Sequence, residues 1–122
     1  MKLKLCNNEI SKNLNILGFN WDCDYEIIDN QIRSKMSVAL DIASEKLPIH
    51  FDRINIPSQS LAIKWLRDVK HIKIGIDYNW HYSKYQYRIG IVGCISTDFN
   101  YYENYEDAEE KAIEKAIELL YR

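Results

Sequence analysis

The sequence has few of the residues that mark specialised classes of protein. Its three cysteines, Cys6, Cys23 and Cys94, are odd in number and widely spaced, which predicts reduced thiols rather than a disulfide framework. Its four glycines stand singly, so there is no glycine-rich loop that could hold a phosphate. Internal repeats and low-complexity linkers are also absent.

Long apolar runs and a strong charge of one sign are missing too. No run of about 18 apolar residues occurs, so no membrane span is predicted. The opening "MKLKL" is not followed by an apolar segment, so we expect no signal peptide and a cytoplasmic location. The net charge is −2, which does not by itself indicate a nucleic-acid partner.

Motifs for catalysis and metal binding are not found. His50, His71 and His81 are far apart, and no pairing of histidine with cysteine has a zinc spacing. Nothing resembles the G-x-S-x-G of a nucleophilic serine. The acids from Glu103 to Glu110 fall in the first turns of a predicted helix, where a solvated helix start explains them better than a catalytic pair. We therefore expect no enzyme, no cofactor and no metal.

What is present is enough apolar sequence for one core, with hydrophobic residues at 47% of 122. The length fits a single domain over residues 1–122. Residues 1–29 predict a helix capped by Asn7 or Asn8 and ended at Gly18, followed by a weak strand near 25–28. Residues 30–56 allow either a helix over about 31–46, with an apolar stripe, or a long excursion over the core.

Residues 57–122 predict the order helix, three strands, helix. "PSQSLAIKWLRDVK" has one apolar stripe, and "EDAEEKAIEKAIELL" has another. "HIKIGIDYNW" and "KYQYRIGIV" alternate apolar and polar residues across a short link, which predicts an antiparallel hairpin. The predicted fold class is α+β, a two-layer sandwich with helices on one face of a three-or-more-stranded antiparallel sheet. Asn104 is the expected cap of the last helix, and Asp107 and Lys111 are spaced for an ion pair.

Aromatic residues are the most unusual feature of the chain, with nine tyrosines and three tryptophans. They crowd the first hairpin and the link to the last helix. Three explanations remain open: core and cross-strand packing, a protein-binding patch, or a surface on which bases stack. Most of these rings share the alternation of the isoleucines, which favours the core. The candidate binding residues are Lys73, Asp77, Tyr78, Trp80, Tyr82, Lys84, Tyr85 and Arg88.

The α-β-β-β-α order of residues 57–122 resembles the topology of the double-stranded-RNA-binding domain. That family carries a lysine-rich motif at the start of its last helix, where phosphates are bound. The matching stretch here, "YEDAEEK", is acidic, and such a surface would repel a duplex. The resemblance therefore implies the fold alone.

Three longer stretches, "EISKNLNILGFNWDCDY", "IPSQSLAIKWLRDVKHIKI" and "YENYEDAEEKAIEKAIELL", resemble uncharacterised small proteins of phages and prophage-like elements of Bacteroidetes. The likeness covers about two thirds of the chain, and residues 30–56 depart from it most. It carries no known activity. It implies a phage-type accessory protein working in the cytoplasm of a bacterial host.

Two functions are expected from these observations. The first is non-enzymatic binding of a protein, either a host factor or a phage factor. The alternative is binding of a nucleotide or nucleic acid, for example to sequester a nucleotide signal. A homodimer is a further hypothesis, because an uncovered edge of the sheet can pair with a second copy.

Overall fold

A computed structural model describes residues 4–28, 31–44, 53–91, 94–97 and 100–121. Within these residues there are four α-helices and two three-stranded antiparallel sheets, which confirms the predicted α+β class. The chain divides into two compact units. We call Leu5–Ser58 the N-terminal unit and Met1–Lys4 with Gln59–Arg122 the C-terminal unit. The expectation of a single domain stays a prediction.

The N-terminal unit begins with helix α1, Asn8–Ile16. The side chain of Asn7 caps it by accepting a hydrogen bond from the Ile10 amide at 2.8 Å. Gly18 follows the helix with a φ of 104°, a conformation that favours glycine. The predicted cap and stop are therefore confirmed. The alternating lysines and leucines of "MKLKL" predict a short edge strand, but most of that stretch lies outside the described residues. Leu5, within them, forms an isolated bridge with Ser58.

The sheet of this unit contains β1 (Tyr25–Ile28), β2 (Gln31–Ser34) and β3 (Ile54–Ile56), in the order β2-β1-β3. The strand predicted near 25–28 is confirmed as β1. Glu26 of β1 is buried, and the Arg53 guanidinium donates to both of its carboxylate oxygens at 2.5 Å. This bidentate pair compensates the buried charge.

Helix α2 spans Lys35–Ala43, so the helix predicted over about 31–46 starts later than expected. Residues 31–34 pair with β1 as a strand instead, and the Ser34 hydroxyl caps α2 by accepting from the Ser37 amide at 3.2 Å. The predicted apolar stripe faces outward, since Met36 is 76% exposed and Leu40 is 62% exposed. Val38, on the opposite side, is fully buried. The stripe predicted from the sequence consists of Ile32, Met36, Ala39, Leu40, Ala43 and Leu47, and the last of these lies outside the described residues.

The side chains of Cys6 and Cys23 are buried, and neither forms a disulfide within the described residues. Burial raises the pKa of the Cys23 thiol to about 11, which keeps it protonated and unreactive near neutral pH. The side chain of Cys94 lies outside the described residues.

The C-terminal unit contains α3 (Gln59–Val69), β4 (Lys73–Asn79), β5 (Lys84–Ile91), β6 (Cys94–Thr97) and α4 (Tyr105–Leu120). This is the predicted α-β-β-β-α order, and the strands follow the order β4-β5-β6. Helix α4 contacts β4 and β5, and α3 contacts α4 and β4. These are the contacts that a two-layer arrangement of helices on a sheet requires.

The core of this unit lies on the isoleucine side of the hairpin. Trp65, Leu66, Ile72, Ile89 and Ile113 are each 0–1% exposed. Burial decreases along β4 from this end, because Ile74 and Ile76 are half-buried and the strand then reaches exposed tyrosine. The hairpin is thus core at one end and surface at the other.

Helix α4 starts differently from the prediction. Asn104 occupies the cap position but makes no capping hydrogen bond; its amide nitrogen instead donates to the Asp107 carboxylate at 3.1 Å. The predicted pair of Asp107 with Lys111 does not form. Asp107 lies 3.9 Å from the Lys4 ammonium, and Lys111 pairs with Glu114 at 3.3 Å. No described helix is long and apolar enough to cross a membrane.

Candidate functional site

The turn between β4 and β5 is built to expose its aromatic side chains. The Asn79 side-chain oxygen accepts hydrogen bonds from the amides of His81 at 3.0 Å and Tyr82 at 3.2 Å, which holds the turn closed. Ser83 completes it with a positive φ of 53°. As a result Trp80 is 86% exposed and Tyr82 is 54% exposed.

Rings on the hairpin pack edge to face behind this turn. The Tyr78 ring centroid lies 4.8 Å from that of Trp80 and 5.0 Å from that of Tyr85. Tyr78 and Tyr85 are directly opposed in the strand register, so their contact is a cross-strand pair of the kind that stabilises a hairpin.

Rings from the link before α4 join the hairpin rings. Tyr82 lies 4.8 Å from Tyr101, and Tyr85 lies 5.9 Å from Tyr105, between ring centroids. The backbone holds the link in place, since Tyr85 and Tyr102 exchange two hydrogen bonds of 2.8 Å. The two groups of aromatics that are separate in sequence are therefore one set in space. We call this set the aromatic cluster: Tyr78, Trp80, Tyr82, Tyr85, Tyr101 and Tyr105.

The cluster is a surface rather than a core. Five of its six side chains are exposed, and Tyr85 is half-buried. Only deeper along β5 does a tyrosine become buried, at Tyr87, whose ring stacks 6.2 Å from that of Tyr102. The interpretation that most of these aromatics point into the core is wrong for the cluster. The alternation of a strand identifies a face, but it does not say how far a helix covers that face.

Charged side chains beside the cluster are paired with one another. The Lys84 ammonium lies 3.1 Å from the Glu103 carboxylate. The Arg88 guanidinium donates from Nε to Asp77 Oδ2 at 2.5 Å and from Nη2 to Oδ1 at 3.3 Å. Two of the three cations proposed from sequence are therefore neutralised locally. Lys73, at the far end of β4, forms no ion pair among the described residues.

Glu109 in the first turns of α4 departs from the expected solvated acidic cluster. It is only 6% exposed, and burial together with the neighbouring Glu106 raises its pKa. The Tyr105 hydroxyl hydrogen-bonds to it, which acts in the opposite direction. Burial and the Glu109 carboxylate raise the pKa of the Tyr105 hydroxyl.

A depression of about 300 Å³ lies on the polar face of the hairpin, away from the turn, and is lined by Lys73, Ile74, Gly75, Arg88 and Gly90. A side-chain carbon added at Gly75 would lie 3.5 Å from Arg88 Nη2, so the guanidinium already covers that glycine. The depression is a gap beside small residues rather than an enclosed site.

The structure therefore divides the sequence-predicted residues into two places. Tyr78, Trp80, Tyr82, Lys84 and Tyr85 meet at the turn end of the hairpin. Lys73, Asp77 and Arg88 lie along the polar face. Tyr101 and Tyr105 were missed as site residues, because their signal, the aromatic stretch "YYENY", indicates a site only once the link is known to bridge back to β5.

The described part of the chain contains no group of three or more histidine, cysteine or acidic residues placed to hold a metal. No family model, curated protein or solved structure matches the chain. The case for a function thus rests on the geometry of the aromatic cluster.

Proposed function

We propose that this protein acts by binding another protein through the aromatic cluster. The observation that carries the proposal is the exposure of Trp80, at 86%, in ring contact with Tyr78 and beside a turn fixed by Asn79. Tryptophan and tyrosine are the residues most enriched at binding hot spots. A fixed group of exposed rings is also costly to leave in water, which favours a surface that is covered in use.

The local charges favour a protein over a nucleic acid. Exposed rings meet the requirement for base stacking, so binding of a nucleotide or nucleic acid is the second candidate. A nucleic-acid surface also needs cations free to meet phosphates. Lys84 and Arg88 are instead held by Glu103 and Asp77, and the chain carries a net charge of −2. Phosphate would have to displace those carboxylates.

We assign no catalytic step to this surface. Among the acids beside the rings, Glu103 is paired with Lys84 and Glu109 is buried. The proposed context, supported by the resemblance to small phage and prophage proteins, is an accessory protein that binds a host or phage factor in a bacterial cytoplasm.

The test compares two variants of exposed aromatic residues. The double variant Trp80→Ala with Tyr82→Ala removes the outermost rings. Tyr121→Ala is the matched control, because Tyr121 is 53% exposed but lies at the other end of α4, about 24 Å along the helix. Tagged proteins capture partners from a bacterial lysate, and quantitative mass spectrometry compares them. We expect a defined partner to be lost at least about tenfold with the double variant and retained with Tyr121→Ala.

Equal capture by both variants would overturn the proposal. A second arm titrates single-stranded oligonucleotides and nucleotides against the tryptophan fluorescence of the wild type and of Trp80→Ala. Quenching that disappears in Trp80→Ala, without a captured protein, would replace protein binding by the second candidate. Circular dichroism and thermal melting confirm that each variant is folded.

A further inference from the structure

Among the strands that the structure describes, none pairs with the outer edge of β4. In the sheet order β4-β5-β6 it is the outermost strand, and its seven residues, Lys73–Asn79, contain no proline. Long edge strands without proline or a bulge are sites where another strand can add.

The bridge between Tyr85 and Tyr102 identifies the available groups. Tyr85 directs its amide and carbonyl toward Tyr102 and away from β4. Tyr78, which opposes Tyr85, is therefore in a non-hydrogen-bonded pair and directs its own groups outward. Because these directions alternate along a strand, the backbone amides and carbonyls of Ile76 and Ile74 also point outward, away from β5. No hydrogen bond joins these outward amides and carbonyls to any other residue in the described structure.

We propose that a second copy of this chain pairs with this edge, β4 against β4 in antiparallel orientation, with the two-fold axis at Gly75. In this register Ile74 of each copy forms a hydrogen-bonded pair with Ile76 of the other, which gives about four inter-strand hydrogen bonds. The pairing ends at Ile72, because the Ile72 amide already donates to the Leu66 carbonyl at 3.0 Å. The two sheets become one continuous sheet.

Charge complementarity selects this partner and this register. Lys73 of each copy comes directly opposite Asp77 of the other, in the closely spaced type of antiparallel pair. Both side chains are exposed and lie on the polar face of β4. A register centred on Asp77 would oppose two carboxylates. One centred on Ile76 would add a hydrogen-bonded pair but would place Lys73 opposite Asn79 and form no charge pair.

The ion pair already present on this face fits the arrangement. Arg88 contacts the two Asp77 oxygens from β5, so an incoming Lys73 would approach the carboxylate from the free side of β4. Gly75 at the axis leaves the strands room to approach. Trp80 and Tyr82 lie beyond the end of β4, so this contact is independent of the protein-binding proposal.

Charge reversal tests the proposal in solution. Sedimentation velocity should give the wild type twice the 14.5 kDa chain mass, with a dissociation constant that rises about tenfold or more in Lys73→Asp. The double variant Lys73→Asp with Asp77→Lys restores opposite charges and should regain most of the affinity. Lys64→Asp, an exposed change of the same charge on α3, is the control and should leave the dimer unchanged.

A cross-link tests the register. Gly75→Cys places two cysteines across the axis at a Cα separation of about 4.5 Å, within the range for a disulfide. Mild oxidation should give a covalent dimer on a non-reducing gel, whereas Lys64→Cys should not. A wild type that stays monomeric up to millimolar concentration would overturn the proposal, as would a dimer unaffected by Lys73→Asp and not linked by Gly75→Cys. Trp80→Ala with Tyr82→Ala should remain dimeric, which separates this test from that of the protein partner.

Discussion

The two ends of the β4–β5 hairpin share one alternating sequence pattern and have opposite environments. At one end Ile72 and Ile89 are each 1% exposed. At the other, Trp80 is 86% exposed and Tyr78 is 37% exposed. The difference lies in what covers each end, since the contacts of α3 and α4 bury the first and no described element covers the second. A strand can thus belong to the core and to a binding surface along one face.

Removing a tryptophan from each environment should give the largest difference in stability between the two ends of the hairpin. Trp65→Ala should lower the free energy of unfolding by about 3–5 kcal/mol, because Trp65 is 1% exposed and its loss leaves a cavity. Trp80→Ala should lower it by less than about 1 kcal/mol, since it removes little more than ring contacts with Tyr78. Urea denaturation followed by circular dichroism measures both. Similar losses would show that the turn end is not a surface.

A second pair of variants compares a buried and an exposed position within β5, at the end of the strand away from the turn. Ile89→Ala should cost about 2–5 kcal/mol in unfolding free energy, because the side chain is 1% exposed. Ile91→Ala, two residues further along β5 and 38% exposed, should cost less than about 1 kcal/mol. Urea denaturation measures both changes as shifts of the midpoint, provided that the dependence of unfolding free energy on urea concentration is unchanged. Equal costs would mean that burial on β5 extends further than the structure shows.

The buried acid under the cluster predicts a pH dependence. The pKa of Glu109 is raised in the folded protein. At a pH between the ordinary and the raised pKa, the native state therefore binds more protons than the unfolded state. Stability should therefore fall as pH rises from the ordinary glutamate pKa, about 4.3, through the raised value. Glu109→Gln removes this titration and should be more stable than the wild type at neutral pH, with the advantage shrinking toward pH 4.

Thermal melting of both proteins between pH 4 and pH 8 checks this dependence. The matched control is Glu106→Gln, since Glu106 is exposed and also acts on Glu109. Glu106→Gln should change the pH dependence of the melting temperature less than Glu109→Gln does. A wild type and a Glu109→Gln variant with parallel pH profiles would contradict the prediction.

The smallest effect is expected on the polar face. Gly75→Ala adds a carbon 3.5 Å from Arg88 Nη2, which is an ordinary van der Waals contact. Glycine in a strand is less favourable than alanine by about 0.5–1 kcal/mol, so the variant should unfold at an equal or slightly higher temperature. A clear loss of stability would indicate that the backbone at Gly75 needs glycine, as a bend in the sheet would require.

The sequence predicted the order of the elements in the C-terminal unit better than it predicted the start of α2 or the side-chain contacts at the start of α4. The order α3 to α4 follows from two regular stripes and a hairpin, patterns that local sequence sets. Local sequence does not identify residues 31–34 as a strand, because their apolar spacing suits a helix. Their pairing with β1 makes them a strand. Asp107 pairs with Lys4, more than a hundred residues away, and no local spacing indicates that contact.

The candidate site was predicted in part for the same reason. The aromatic excess and the turn after Asn79 are visible in the sequence, and they led to Tyr78, Trp80 and Tyr82. The joining of Tyr101 and Tyr105 to these rings depends on the bridge between Tyr85 and Tyr102. The pairing of Lys84 with Glu103 depends on it as well.

The α+β class, the hairpin and the unusual number of rings follow from the sequence, because periodicity and turn chemistry act over a few residues. Packing of the folded chain sets which rings are covered and which cations are paired. Those properties depend on how much of the sheet two helices of limited length can cover. At the turn end of the hairpin, α3 and α4 no longer bury the sheet. The tyrosines that continue the isoleucine stripe are therefore exposed.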